Sequence, residues 1–394
     1  MPVIEAGAAI VRGRVLFERR MPAPLNEYYD VVVTPGFSDT HAHPQVIDAG
    51  IIPGVTWNNS YEWLLTRRMV IDEASVRNDI GLASSLAGLT LKRALLEGTT
   101  LIALTGSFDA NIKAFVRLKE RPRTVLLPTV MKKRGWATPN GVADAYRRYA
   151  KYARDDFLRI GVFVHSIKYA GRDMLHEAIQ LAMRIRGPLG IHLSEGVPEK
   201  EEFIDSSCCL DNVRVVGVHC LNDDYSDLGI RCSSCPGSNL LLYEKYVPSL
   251  GRVTSFGSDW PHFLGTIGGQ IGLITELYRD RLSEALFKAT VGGYLDYNLN
   301  YSGDLVAFDG SIRDVLSGRV KPRLVVVNGI VVVYDGRLVS TGESLGDVLK
   351  ALDEVVDYAV EVHGIGEKPV KLGLEDAVER ARRVRRASVR SEAR

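Results

Sequence analysis

Pro35-Gly36-Phe37-Ser38-Asp39-Thr40-His41-Ala42-His43-Pro44 follows directly on the apolar run Val31-Val32-Val33. Side chains two apart on a strand share a face, so a strand running through this stretch aims both imidazoles at one point. Six of the eight histidines (His41, His43, His165, His192, His219 and His262) fall at or just after expected strand ends. That placement suits a fold in which the strand ends meet.

Working outward, short apolar runs alternate with segments of helical period, as repeated β-α units require. Expected strands end near Asp39 to His43, Leu101 to Thr105, Val125 to Val130, Gly161 to Ile167, Gly190 to Leu193, Val215 to His219, Ile230 to Cys235 and Val253 to Asp259, which makes eight. Helices are expected between them, among others over Asp72 to Glu97, Arg172 to Arg186 and Ile271 to Thr290. The expected fold class is therefore α/β: a (β/α)8 TIM barrel over residues 35–300, whose functional face is the one where the strands end. Strand-like segments at 1–34 and 301–340, the latter with turns at Asn328-Gly329 and Asp335-Gly336, predict a small β-sandwich domain built from both termini. Residues 341–394 read as a helical, basic extension with seven arginines from Arg380 onward, expected to be a solvated tail.

Composition narrows the function classes. The 394 residues exceed the roughly 250 of a single barrel, leaving room for the smaller domain. A net charge of +1 with 25% charged residues gives no bias toward nucleic acid or membrane, so neither is an expected partner. No run approaches the roughly 18 to 20 apolar residues of a membrane span, and charges interrupt the first twenty residues, which predicts a cytoplasmic protein. Five cysteines are too few for a disulfide scaffold, and Cys232-Ser233-Ser234-Cys235 is read as ordinary thiols or a stabilising disulfide.

The Pro35 to Pro44 string resembles the opening of the barrel in the amidohydrolase superfamily, where a P-G-[FL]-x-D-x-H-x-H run leads into the first strand. Other matches follow in the superfamily's order: Trp63-Leu64, Gly98-Thr99-Thr100, His165-Ser166-Ile167, His192-Leu193-Ser194-Glu195, Val218-His219-Cys220, Cys235-Pro236-Gly237-Ser238-Asn239-Leu240 and Phe256-Gly257-Ser258-Asp259. The resemblance covers about residues 1 to 340. The H-x-x-E spacing of His192 and Glu195 resembles the mononuclear branch, which holds cytosine, guanine and adenosyl-homocysteine deaminases and triazine hydrolases.

This resemblance implies a metal-dependent hydrolase of non-peptide carbon–nitrogen bonds, most simply a deaminase of an aminated heterocycle or cyclic amidine that works by metal-activated water. His41, His43, His192 and Asp259 would hold one divalent metal, zinc first and iron(II) second, a donor set that suits either ion. Glu195 would move protons as general base and acid, and His219 would orient the attacking oxygen and steady the oxyanion. His165, Lys168, Asn239, Trp260, His262 and Trp57 are the expected substrate contacts. The substrate is a small molecule, and a homodimer is the generic expectation.

Two alternatives stand beside this reading. A dinuclear hydrolase of cyclic amides or N-acyl amino acids would carry a carboxylated Lys168 between two metals. A non-catalytic protein on the same fold would have no need of the ligand set. Ile167-Lys168-Tyr169 departs from the P-Y-T of nucleoside-type deaminases, and Arg93 stands where relatives often carry an acid.

Overall fold

The computed structural model describes residues 8–11, 14–18, 31–133, 136–153, 157–207, 210–365, 369–370 and 373–392. Among the described residues sixteen strands follow one another: β1 (Ala8–Val11), β2 (Arg14–Glu18), β3 (Val31–Pro35), β4 (Phe37–Ala42), β5 (Thr99–Gly106), β6 (Arg123–Val130), β7 (Leu158–Ile160), β8 (Val162–Val164), β9 (Leu189–Leu193), β10 (Val215–His219), β11 (Arg231–Ser234), β12 (Ser255–Phe256), β13 (Leu305–Asp309), β14 (Pro322–Val327), β15 (Ile330–Tyr334) and β16 (Arg337–Leu338). Strands β4 to β12 form one parallel sheet in the order β12-β11-β10-β9-β8-β6-β5-β4, with β7 paired to β6. Most of these strands are buried along their whole length, as parallel strands covered on both faces by side chains must be.

The sheet closes where Ala42 bridges Asp259 in parallel. His43 N donates to Asp259 O at 2.7 Å, and Asp259 N donates to His41 O at 2.8 Å. Gly257 makes the seam possible, because a Cβ there would lie 2.7 Å from the His41 Cβ. The result is the eight-stranded (β/α)8 barrel, and the seam that closes it joins the His41-x-His43 strand to Asp259.

The second sheet has the order β16-β15-β14-β13-β3-β1-β2 and is antiparallel except for β1 against β3. It takes strands from both ends of the chain, with β3 pairing β13 from Val31↔Asp309 to Pro35↔Leu305. A buried ion pair ties it to the barrel floor: Arg123 Nε lies 2.9 Å from Asp304 Oδ2, and Tyr294 donates to the same oxygen at 2.7 Å.

Helix boundaries depart from the sequence expectation in informative ways. The helix expected over Asp72 to Glu97 is two, Glu73–Asn78 and Ile80–Leu96, because Asp79 leaves helical geometry and caps the second by accepting from Leu82 N. Ser166 likewise caps helix Ile167–Ile185, which ends the fourth barrel strand early. The C-terminal region forms helices Leu345–His363 and Leu374–Glu392. The second is docked rather than solvated, which corrects the tail expectation. Ala377 and Ala381 are fully buried, Arg380 donates to Leu241 O at 2.8 Å, and Arg383 pairs with Glu244 at 3.0 Å. These arginines are engaged with the barrel. No helix among the described residues is long and apolar enough to cross a membrane.

Candidate metal centre and active site

Four donor atoms from three strand ends meet at the mouth of the barrel. His41 Nε2 lies 2.9 Å from His43 Nε2 and 3.2 Å from His192 Nε2. Asp259 Oδ1 lies 3.4 Å from both His41 Nε2 and His43 Nε2. The Thr105 hydroxyl donates to Ala42 O at 3.1 Å, so it accepts from His43 Nδ1 at 2.9 Å. That bond leaves the His43 Nε2 lone pair facing the other donors, the tautomer a metal ligand needs.

The electrostatics favour the same protonation states. Burial, and then the neighbouring His43, push His41 down to about 3, and burial with the surrounding imidazoles holds His192 well below its ordinary value. Burial alone would raise Asp259, but the imidazoles of His41, His219 and His43 around it outweigh burial and hold the carboxylate below its usual range. Neutral imidazoles and an ionised carboxylate are the ligand forms of these groups. Converging lone pairs repel unless a cation lies between them. Three nitrogens and one oxygen make a donor set that fits a single zinc or iron(II) ion.

Glu195 and His219 lie beside this cluster, with His219 Nε2 3.6 Å from Glu195 Oε1. Helix Pro236–Tyr243 positions both of them. Asn239 Oδ1 accepts from His219 Nδ1 at 2.8 Å, and one turn later the Tyr243 hydroxyl donates to Glu195 Oε1 at 2.7 Å. Burial raises the Glu195 carboxyl above its ordinary value against the opposing pull of His219 and Tyr243. His219 and Asp259 sit at positive φ, 73° and 62°, the kind of backbone strain that recurs where function fixes a side chain.

The expected substrate contacts separate in the structure. His165 and Trp260 line the central cavity. Asn239 is fully buried beneath His219. Trp57 is buried and donates to Thr66 Oγ1 at 2.8 Å, outside the cavity lining. His262 turns away after Pro261, with Nε2 2.6 Å from Pro44 O, and borders a different cavity against helix Leu345–His363. Lys168, in the first turn of its helix, is exposed, with its ammonium 4.1 Å from the Tyr61 ring centre.

Trp63, of the Trp63-Leu64 pair, also lines the cavity. Arg67, Glu73, Met131, Lys133, Trp136 and Tyr169, which carried no motif, line it too. The one sequence signal for Arg67 is its i,i+4 spacing from Trp63, whose ring centre lies 4.9 Å from the guanidinium. Arg93, unusual for its position, is spent on Glu97 at 2.8 Å and on His262 O at 3.2 Å. The disulfide joins Cys220 to Cys232, one residue beyond His219, and Cys235 is free and buried, so the Cys232-x-x-Cys235 pair is not the bridge. Cys208 and Cys209 lie outside the described residues.

No family model matches the chain. A 5-methylthioadenosine/S-adenosylhomocysteine deaminase of Thermodesulfovibrio yellowstonii is 26% identical over 298 residues, 65% of each chain. A second deaminase so named, from Syntrophus aciditrophicus, is 29% identical over 124 residues, 27% of this chain and 28% of that protein. The chain thus spans under two-thirds of the length of either curated relative. An adenosine deaminase of Xanthomonas campestris with bound zinc superposes with a TM-score of 0.67 at 13% identity, over 91% of this chain and 98% of that one. An atrazine chlorohydrolase of Arthrobacter aurescens, complexed with zinc, gives 0.64 at 16% identity over 82% and 88%. The chain has the fold of these deaminases and triazine hydrolases. It resembles the mononuclear deaminase and chlorohydrolase branch of the amidohydrolases.

Proposed function

We propose that the protein is a metal-dependent hydrolase of carbon–nitrogen bonds in small molecules, deaminating an aminated heterocycle or cyclic amidine. The observation that carries this reading is the convergence of His41 Nε2, His43 Nε2, His192 Nε2 and Asp259 Oδ1 beside a buried carboxyl with a raised pKa. Those four residues would hold one divalent ion, zinc before iron(II). When bound, such an ion acidifies water and polarises the reacting carbon.

The chain's own groups account for the proton traffic. Tyr243 occupies Glu195 Oε1, so Oε2 is the oxygen left to take a proton from water. The attacking oxygen adds to the carbon that bears the amino group, and Glu195 passes its proton to the leaving nitrogen. The C–N bond breaks, ammonia leaves, and the ring carries a carbonyl in place of the amine, with the second proton of water ending on the ring nitrogen. His219, with Nδ1 held by Asn239, keeps Nε2 toward the reacting oxygens and steadies the developing charge. A base raised toward neutral pH suits this double duty, because it must gain and lose a proton in each turnover.

The dinuclear alternative lacks support, since the Lys168 ammonium sits over Tyr61 and outside the cavity. The test is a screen of aminated heterocycles for ammonia release by wild-type protein and Glu195→Gln, with metal content measured on both. Turnover lost with metal retained is expected. Equal ammonia release by the variant removes Glu195 from the mechanism, and a protein that binds no metal favours the non-catalytic alternative.

A further inference from the structure

The cavity above the four donors is small, about 150 Å³. A benzene ring fills roughly that volume, whereas drug-sized ligands occupy roughly 300 to 1,000 Å³. Its walls are largely aromatic. Trp63 and Trp260 lie with ring centres 5.6 Å apart, and Trp136 stands edge-on to His165 at 6.2 Å. Trp136 also borders a second chamber of about 300 Å³ and stands between the two. Arg77 holds it there, with its guanidinium 3.6 Å from the ring centre.

One charged pair lies in this aromatic wall. Arg67 Nη2 donates to Glu73 Oε2 at 2.9 Å. Among the described residues, Glu73 Oε1 and Arg67 Nη1 have no other hydrogen-bond partner. The pair therefore presents a strong acceptor next to a strong donor, the complement of a lactam edge with its ring N–H beside a carbonyl. Arg67 is also stacked against Trp63, so the donor is held in place.

We propose that the substrate is a sugar-free aminated lactam ring, read by Glu73 and Arg67 on the edge away from the amine, with Trp136 setting the size limit. This rests on the deaminase reading and adds the substrate class. Cytosine shows the logic. Its N1–H and C2 carbonyl form the lactam edge opposite the amine carbon, and a sugar at N1 removes the donor while adding bulk that the cavity cannot take.

Calorimetric binding to the zinc-loaded protein tests the assignment without needing turnover. The probes are cytosine, isocytosine, 1-methylcytosine and cytidine, with ammonia release followed in parallel. At least one free base should bind about 100-fold more tightly than cytidine, since a site built for a ring N–H rejects ligands without it. Glu73→Gln should weaken that base about tenfold, because a charge-assisted bond becomes a neutral one. The same substitution should leave 1-methylcytosine unchanged, an outcome that a merely structural Glu73 would not give. Trp136→Ala should narrow the gap between base and cytidine by opening the second chamber.

Cytidine binding as tightly as the bases, no binding by either base, or equal effects of Glu73→Gln on cytosine and 1-methylcytosine would overturn the proposal. The two readings fail separately. Tight base binding without ammonia release sinks the deaminase and keeps the pocket assignment, while ammonia released from cytidine in preference to cytosine does the reverse.

Discussion

Removing the Tyr243 hydroxyl should move the acid limb of the pH–rate profile upward. Tyr243 donates to Glu195 Oε1 at 2.7 Å with both residues buried, and His219 Nε2 lies 3.6 Å from the same oxygen. A hydrogen bond to a charged group contributes about 1.5 to 3 kcal/mol. It favours the carboxylate, so in Tyr243→Phe the already raised Glu195 carboxyl should hold its proton to still higher pH. At about 1.4 kcal/mol per pH unit, the acid limb should rise by about one to two units. The assay is kcat/KM against pH for the best substrate of the ammonia screen, in wild type and variant at matched metal content. Rates should converge at high pH, where both carboxyls are ionised. An acid limb that does not move while the high-pH rate is retained would refute Glu195 as the titrating base.

Two further predictions concern stability. Asp296 is buried, and desolvation raises it to about 6 despite hydrogen bonds from Ser255 and Thr254 at 2.6 and 2.8 Å. Its neutral form is favoured in the folded state, so its contribution is full below 3.8 and lost as pH rises through about 6. The interval corresponds to about 3 kcal/mol. Asp296→Asn should therefore be more stable than wild type at pH 8 and similar at pH 4, and thermal melts at the two pH values check it. For the disulfide, closing a loop with a sequence separation of 12 contributes about 3 kcal/mol in the chain-entropy account. Urea denaturation of Cys232→Ala should show a loss of that order without reductant, and a reducing agent should remove most of the difference.

The barrel and the meeting of His41, His43, His192 and Asp259 at its rim could be read early because strand geometry decides both. His41 and His43 share a face by strand geometry alone, and His192 and Asp259 end strands that a parallel barrel must bring to one rim. The walls follow different rules. Trp57 and Trp63 occupy the same loop-and-helix segment, yet only the second faces the cavity, because helix Ser60–Thr66 turns it toward Trp260. Lys168 was expected near the substrate, but Ser166 starts a helix that carries its ammonium to the surface. His262 was expected there too, and the turn at Pro261 sends it to Pro44 O instead. Glu73 and Arg67 were invisible for the opposite reason. Arg67 caps the end of one helix and Glu73 starts the next, positions where charged residues are ordinary, and only the aromatic wall around them marks them out. The arginine-rich tail misled in the same way, since its charge pattern does not reveal that Arg380 caps carbonyls of the helix bearing Asn239 and Tyr243.

X-ray absorption at the zinc edge, on protein reconstituted with one equivalent of zinc per chain, tests the metal centre directly. The expected first shell is three imidazole nitrogens and two oxygens, one from Asp259 and one from water, at about 2.0 to 2.2 Å. A sulfur neighbour at about 2.3 Å, or a second metal at roughly 3.5 to 4 Å, would contradict a single ion held by His41, His43, His192 and Asp259.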